Sequence, residues 1–237
     1  MFDAGEAGFK IDFASECLRQ GNLVILFSRS WEHIPIPWTQ FIGFGAAEVH
    51  RFHSFKSQVA ARTFLQGRAL LRKLLASYSG VPAHQIDVTC EENVKPAARC
   101  TVPVVSMPQF NLSHSGTWVV LAAHMYRPLG IDIECLGKQD IVNLSELPDL
   151  FTPTERAHLA RCLDQKAKVD LFLKLWRCKE AILKATGRGF DLAPTSFEVL
   201  THEGMIKTDV QADGQCWHLQ QHSLCQGLDC AVALSCT

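Results

Sequence analysis

The apolar and polar positions change period several times along the chain, and each change marks an element. Leu23-Val24-Ile25-Leu26-Phe27 is a short continuous apolar run, which predicts a buried strand over 22–27. A connection rich in Pro and aromatic residues follows (Pro35, Pro37, Trp38, Phe41), then Gly43 and Gly45. Ser57 is placed to cap a helix running to about Ser77, with Leu65, Leu70, Leu71, Leu74 and Leu75 as its apolar stripe and Gly80 as its stop. A strand is expected over 85–89, a turn at Lys95-Pro96, and a central strand over 118–123, towards which the segment 110–116 leads. After a turn at 125–128, Gly130-Ile131-Asp132-Ile133-Glu134 alternates, so its two carboxylates point to one side and its two isoleucines to the other. Thr152-Pro153-Thr154-Glu155 has the form of a capping box with Pro at the first helical position. A second helix is expected over 166–186, ended by Gly187. Four short strands of an antiparallel meander follow, at 197–200, 205–210, 216–222 and 228–236.

The order of elements also suggests a repeat. Arg68-Ala69-Leu70-Leu71-Arg72 aligns with Glu180-Ala181-Ile182-Leu183-Lys184, each near the end of a helix that stops at Gly. The fold class is therefore α+β, with two similar halves, 1–112 and 113–237, and a site between them.

Composition narrows the function. A formal net charge of −1 gives no footprint for nucleic acid. No window approaches the about 18 apolar residues of a membrane span. Asp3, Glu6, Asp12 and Glu16 near the start do not fit a signal peptide. The 10 cysteines are scattered with no CxxC pair and no metal-ligand cluster, and are read as reduced residues of a cytoplasmic protein. Arg51, Lys56, Arg62, Arg68, Arg72 and Lys73 fall in a stretch without any acid, which points to an anion on that face.

The densest chemistry lies in Trp176-Arg177-Cys178-Lys179-Glu180-Ala181-Ile182-Leu183-Lys184. On a helix, Trp176, Glu180 and Lys184 share one face. Glu180 beside Asp132 and Glu134 would place three carboxylates together, repelling by about 4 kcal/mol per pair at 4 Å and an effective dielectric of 20. A hard divalent ion such as Mg²⁺ resolves that repulsion and leaves room for phosphate oxygens. Ser113-His114-Ser115 lacks the G-x-S-x-G nucleophile elbow of a hydrolase, and His114 reads as a phosphate contact or a hydrogen-bonded structural histidine.

These residues together resemble the 4′-phosphopantetheinyl transferases, whose two signature motifs are G-[IV]-D-x-E and [FW]-x-x-K-E-[AS]-x-x-K. The segment 110–116 is similar to the stretch that precedes the first motif, and the region from Arg51 to Arg72 to the basic part of the larger, surfactin-synthetase-activating type. The resemblance implies a pseudo-dimer of two α/β halves that works as a monomer. It implies transfer of the 4′-phosphopantetheine arm of coenzyme A to a serine of an acyl or peptidyl carrier protein. Carried over, Asp132, Glu134 and Glu180 would bind Mg²⁺, Glu180 would be the base, and Lys184 and His114 would hold the phosphates. Arg51, Arg62, Lys95, Pro96 and Ser113 would line the nucleotide side, and Lys179 would have a supporting role. Two departures stand out: Val94-Lys95-Pro96 where relatives show Gly-Lys-Pro, and Ala46-Ala47-Glu48 where many place lysines. A non-catalytic coenzyme A- or nucleotide-binding module on the same scaffold is the main rival, and an unrelated Mg²⁺-dependent phosphohydrolase the third reading.

Overall fold

The computed structural model describes residues 15–29, 43–89, 95–100, 107–135 and 150–237. The Pro- and aromatic-rich connection at 35–41 and Val94 lie outside the described residues. Strands β1 (Ser15–Gln20), β2 (Leu23–Arg29), β5 (Gln109–Ser115) and β6 (Trp118–His124) form one antiparallel sheet in the order β1-β2-β6-β5. Strands β7 (Leu129–Ile133), β8 (Asp209–Ala212), β9 (Gln215–Cys225) and β10 (Leu228–Ser235) form a second, in the order β7-β10-β9-β8. A two-stranded sheet joins β3 (Ile86–Val88) to β4 (Ala98–Cys100).

Three apolar layers hold these sheets. Leu23, Ile25, Phe27, Val120 and Ala122 from the first sheet meet Leu129, Ile131, Ile133, Val232 and Leu234 from the second, so the two sheets pack face to face. The outer face of the first sheet carries Val24, Leu26, Phe110, Val119 and Leu121 against α2 (Gln58–Ser79), and α1 (Ala46–Ser54) lies beside that helix. The outer face of the second sheet carries Trp217, Leu219, Ala231 and Ala233 against α4 (Gln165–Thr186) and α3 (Pro153–Arg161). Strict alternation along β2 and β7 is what lets each strand serve two layers at once. No described helix is long and apolar enough to cross a membrane.

The two helix pairs are the same device used twice. Both long helices have 22 residues and end on a left-handed glycine, Gly80 (φ 70°) and Gly187 (φ 72°). One offset of 107 residues (152 minus 45) relates the N-caps Gly45 and Thr152, and it equally relates Glu48 to Glu155 and Gly80 to Gly187. Each short helix buries a glutamate that accepts from its own N-cap amide, Gly45 N–H at 3.1 Å and Thr152 N–H at 2.9 Å. Each glutamate then pairs with a cation buried on the long helix. Arg72 donates Nη1 to Glu48 Oε1 at 3.0 Å, and Lys179 Nζ sits 2.9 Å from Glu155 Oε2.

The structure corrects three expectations. Arg72 corresponds to Lys179, not to Lys184. Arg68 and Arg72 are consumed inside the fold by Glu48, which stands just before the acid-free stretch, and by the Thr89 carbonyl at 2.7 Å from Arg68 Nη1. The first meander strand, at 197–200, does not form beyond an isolated Leu200–Ile206 bridge. Its backbone is spent on the buried ion pair instead: Val199 N–H donates to Glu155 Oε1 at 2.9 Å, and the Phe197 carbonyl accepts from Lys179 at 2.9 Å. Residues 112 and 113 both lie in β5, which pairs with β6 in the first sheet, and the chain passes to the second sheet through the bend at 125–128.

Candidate active site

Strand β7 lies against α4 more closely than an ordinary side chain would permit. A Cβ built on Gly130 would overlap the Ala181 carbonyl and the Ala185 amide and lie 2.9 Å from the Lys184 carbonyl carbon. Glycine is therefore required here for the approach of two backbones, not for a turn. That approach brings Asp132, two residues along the same face, to the last turn of α4. Lys184 Nζ sits 2.6 Å from Asp132 Oδ1 and 3.1 Å from Ser113 Oγ, while Ser113 donates its own hydroxyl to Asp132 Oδ1 at 2.8 Å.

The other edge of β7 is held by β5 through side chains. Asn111 Oδ1, Ser113 Oγ and Ser115 Oγ accept from the amides of Ile131 (3.1 Å), Ile133 (3.4 Å) and Cys135 (3.0 Å). Three polar side chains at alternate positions thus satisfy a strand edge that would otherwise leave buried donors unpaired. Ser115 also donates to Glu134 Oε2 at 3.2 Å, and the Trp176 side chain hydrogen-bonds Glu134. Asn111 and Ser115 were missed as functional positions, although the polar alternation at 111, 113 and 115 on a strand was the available signal.

The electrostatics match a crowded acid site. Burial and then the neighbouring Asp132 push the Glu134 carboxyl above its ordinary 4.5. Glu180 is likewise raised, by burial first and by Asp132 and Glu134, with Lys184 opposing. Asp132 Oδ2 is buried with no hydrogen-bond partner. An orphaned carboxylate oxygen beside two carboxyls held high is an all-oxygen donor set of the kind that fits a hard cation. Lys184 lies against Asp132 Oδ1, on the carboxylate oxygen opposite the unpartnered one.

The remaining predicted residues are placed as follows. His114 lies on the opposite side of β5 from Ser113, with its ring at the surface; the dense surroundings first and the Lys184 charge second lower it below its ordinary 6.5, so it is neutral at neutral pH. Lys95 donates to the Leu129 carbonyl at 2.8 Å, at the entry to β7, and its burial lowers it to about 8. Pro96 is half-buried beside it. Arg51 lies on α1 with its guanidinium 5.2 Å from the Phe55 ring centre, and Arg62 is half-buried on α2. Lys179 is fully buried and donates to the carbonyls of Pro194 and Phe197 as well as pairing with Glu155, so it is structural.

Comparison with known proteins covers both halves. Residues 29–126 match the family described as 4′-phosphopantetheinyl transferase, N-terminal, and residues 128–233 match the 4′-phosphopantetheinyl transferase superfamily. The chain is 29% identical over 179 residues to the 4′-phosphopantetheinyl transferase Sfp of Bacillus subtilis (strain 168), covering 75% of each chain. It is 36% identical over 168 residues to psf-1 of Bacillus pumilus, over 68% of this chain and 63% of that protein. Against HetI of Nostoc sp. (strain PCC 7120 / SAG 25.82 / UTEX 2576) it is 34% identical over 142 residues, 60% of this chain and 59% of HetI. For the latter two, the chain spans less than two thirds of the relative's length. Two adjoining family matches that together take in most of the residues, each with a helix-capped half and the second with the acid site, lead to one assignment: the chain belongs to the 4′-phosphopantetheinyl transferase superfamily.

Proposed function

We propose that this protein moves the 4′-phosphopantetheine arm of coenzyme A onto a serine of an acyl or peptidyl carrier protein, releasing adenosine 3′,5′-bisphosphate. The observation that carries the reading is the cluster of Asp132, Glu134 and Glu180 with Lys184 at the contact of β7 and α4, in a chain of this superfamily. A binding module would have no use for one buried and two half-buried carboxyls around one ammonium.

Asp132, Glu134 and Glu180 are the residues that would hold Mg²⁺, with the unpartnered Asp132 Oδ2 as the first donor. When bound, the ion supplies positive charge beside the pyrophosphate. Glu180, whose raised proton affinity suits a base, takes the proton of the carrier serine directly or through water as the serine oxygen bonds to phosphorus. The bond to the nucleotide's phosphate oxygen breaks, and Lys184, turning from Asp132, neutralises the charge that develops there. Neutral His114 donates a hydrogen bond to the same phosphates, and Ser113 keeps Asp132 and Lys184 in register. Arg51, Arg62, Lys95 and Pro96 would line the nucleotide and its 3′-phosphate. We further propose a cytoplasmic monomer, active without a second copy.

Incubation with coenzyme A, Mg²⁺ and an apo carrier protein, read by intact mass, tests the whole reading. The expected result is one phosphopantetheine added per carrier. Coenzyme A binding without any mass gain across several carriers would favour the non-catalytic module, and phosphate release without a carrier would favour a phosphohydrolase.

A further inference from the structure

Antiparallel pairing in the second sheet assembles a group of side chains that the transfer reaction does not use. Cys216 and Cys236 are twenty residues apart in the chain, yet the Cys236 amide donates to the Cys216 carbonyl at 3.0 Å, one step past the Ser235–Trp217 pair. Their sulfurs lie 2.9 Å apart. On the other flank of β9, Asp209 pairs with His218, and His218 Nδ1 sits 2.9 Å from Asp209 Oδ1. Trp217 and Leu219 are buried towards α4, so alternation turns Cys216 and His218 to the opposite face of the sheet. The carboxylate of Asp209 and the thiols of Cys216 and Cys236 all fall within 4.8 Å of one another.

We infer that Asp209, Cys216 and Cys236 form a binding site for a thiophilic divalent cation, Zn²⁺ by donor chemistry, on the sheet face turned away from α4. Two sulfurs and a carboxylate oxygen are a borderline-soft set that suits Zn²⁺ and disfavours Mg²⁺ or Ca²⁺. The acid site on the other face is all oxygen, so one sheet sorts hard and soft ions to its two faces. Two thiolates on one tetrahedral zinc stand about 3.8 Å apart at Zn–S distances of about 2.3 Å. Cys236, exposed just beyond the end of β10, supplies that opening by rotating its side chain. His218 holds the Asp209 carboxylate as an outer-shell partner holds a ligand, and the fourth position faces solvent. In the unliganded pair the Cys236 thiol donates to the Cys216 sulfur. Binding therefore displaces two thiol protons to solvent and leaves two thiolates on the ion, with no change of oxidation state.

The test is titration of the reduced full-length protein with Cd²⁺ in saturating Mg²⁺, following the Cd–thiolate charge-transfer band and proton release together. One equivalent bound with about two protons released is expected, both in the wild type and in a Cys17→Ser control at an exposed cysteine elsewhere. Cys216→Ser and Cys236→Ser should lose the band yet keep transfer activity and cooperative thermal unfolding, and His218→Ala should weaken binding about 10- to 100-fold. A band that survives in Cys216→Ser, or wild-type protein that takes up no Cd²⁺, overturns the site. Protein whose mass is lower by two hydrogens and yields a Cys216–Cys236 cross-linked peptide despite excess Zn²⁺ would make the pair a redox couple, and overturns it equally.

Discussion

The helix pairs α1–α2 and α3–α4 share lengths, caps and a buried acid–cation pair, but only the second carries a candidate active site. The offset of 107 residues places Glu180 over Lys73, Lys184 over Ser77 and Trp176 over Ala69. On the strands, where the offset is 106 (129 minus 23), the core-facing Leu23, Ile25 and Phe27 correspond to Leu129, Ile131 and Ile133. The helix-facing Val24, Leu26 and Ser28 correspond to Gly130, Asp132 and Glu134. The common positions hold sheet to sheet and tie each short helix to its long one, and the differing strand and helix positions lie on the β7–α4 contact. A repeated scaffold thus separates what the fold needs from what the chemistry needs.

The largest effects expected from breaking this comparison are on transfer. Asp132→Ala and Glu180→Ala should each lower kcat/KM by about a thousandfold or more, the scale of losing a preorganised charge-stabilising group, with unfolding still cooperative. Glu134→Ala should be milder if it reaches the ion through water. Lys73→Ala, at the equivalent exposed position of α2, should change activity less than about twofold and stability within about 0.5 kcal/mol. Near-normal turnover by Glu180→Ala at saturating Mg²⁺ would end the proposed mechanism.

The shared ion pairs should fail alike. Lys179→Met strands Glu155, and Arg72→Met leaves Glu48 only the longer contact to Arg68 at 3.7 Å, each in a site with almost no access to water. Breaking one partner of such a pair costs about 3–5 kcal/mol, so both variants should lose that much in urea titration. A Lys179→Met protein that is as stable as wild type and yet inactive would give Lys179 a part in the transfer itself.

The close contacts of the two halves differ in kind, and Gly→Ala substitution separates them. A Cβ on Gly67 meets the movable end of Leu112 at 2.9 Å, whereas one on Gly130 meets helix backbone. Gly130→Ala should therefore cost about 3 kcal/mol or more and reduce transfer by parting β7 from α4; Gly67→Ala should cost about 1 kcal/mol or gain slightly from the unfolded state. Equal thermal shifts for the two would refute the backbone argument.

Much of this contrast was readable in the chain. The Thr152 box, the Ser57 cap and the stops at Gly80 and Gly187 are local signals, and all four are formed. Both signature motifs were visible as residues, but their meeting depends on Gly130, whose role as a close-approach residue is invisible until the helix it faces is known. The repeat was seen in the wrong register because Arg68 to Arg72 resembles Glu180 to Lys184 in composition, while the true equivalence rests on caps and on Glu48. That glutamate lies one residue before the acid-free stretch, so the apparent excess of positive charge was already balanced in space. Segment 197–200 has the apolar look of a strand, but its backbone answers to a buried glutamate and lysine from other elements. Cys216 and Cys236 look scattered because a β9–β10 ladder, not the sequence, brings them together.

The smallest effect concerns the bridge between the halves. Lys95 precedes β4, which belongs to the small sheet beside α2, yet donates to the Leu129 carbonyl at the start of β7. Burial lowers it to about 8, so near neutral pH it is close to losing its charge. If it contacts a coenzyme A phosphate, binding requires the ammonium, and the apparent KM for coenzyme A should rise as pH passes from 7 to 9. The sign for folding is opposite: between about 8 and the unfolded value of 10.5 the unfolded chain holds a proton that the folded protein has released, so this group makes stability rise with pH there. Lys95→Ala should raise KM at pH 7 by an amount worth roughly 1.5–3 kcal/mol, the range of a charge-assisted hydrogen bond, with little change in kcat. Lys95→Arg, which stays charged, should flatten the pH dependence of KM. Dephospho-coenzyme A tells which phosphate is involved: if Lys95 reads the 3′-phosphate, Lys95→Ala penalises coenzyme A and leaves dephospho-coenzyme A almost unchanged. Equal penalties on both would place Lys95 at the pyrophosphate, and no penalty on either would leave it as a structural tie between β7 and the first half.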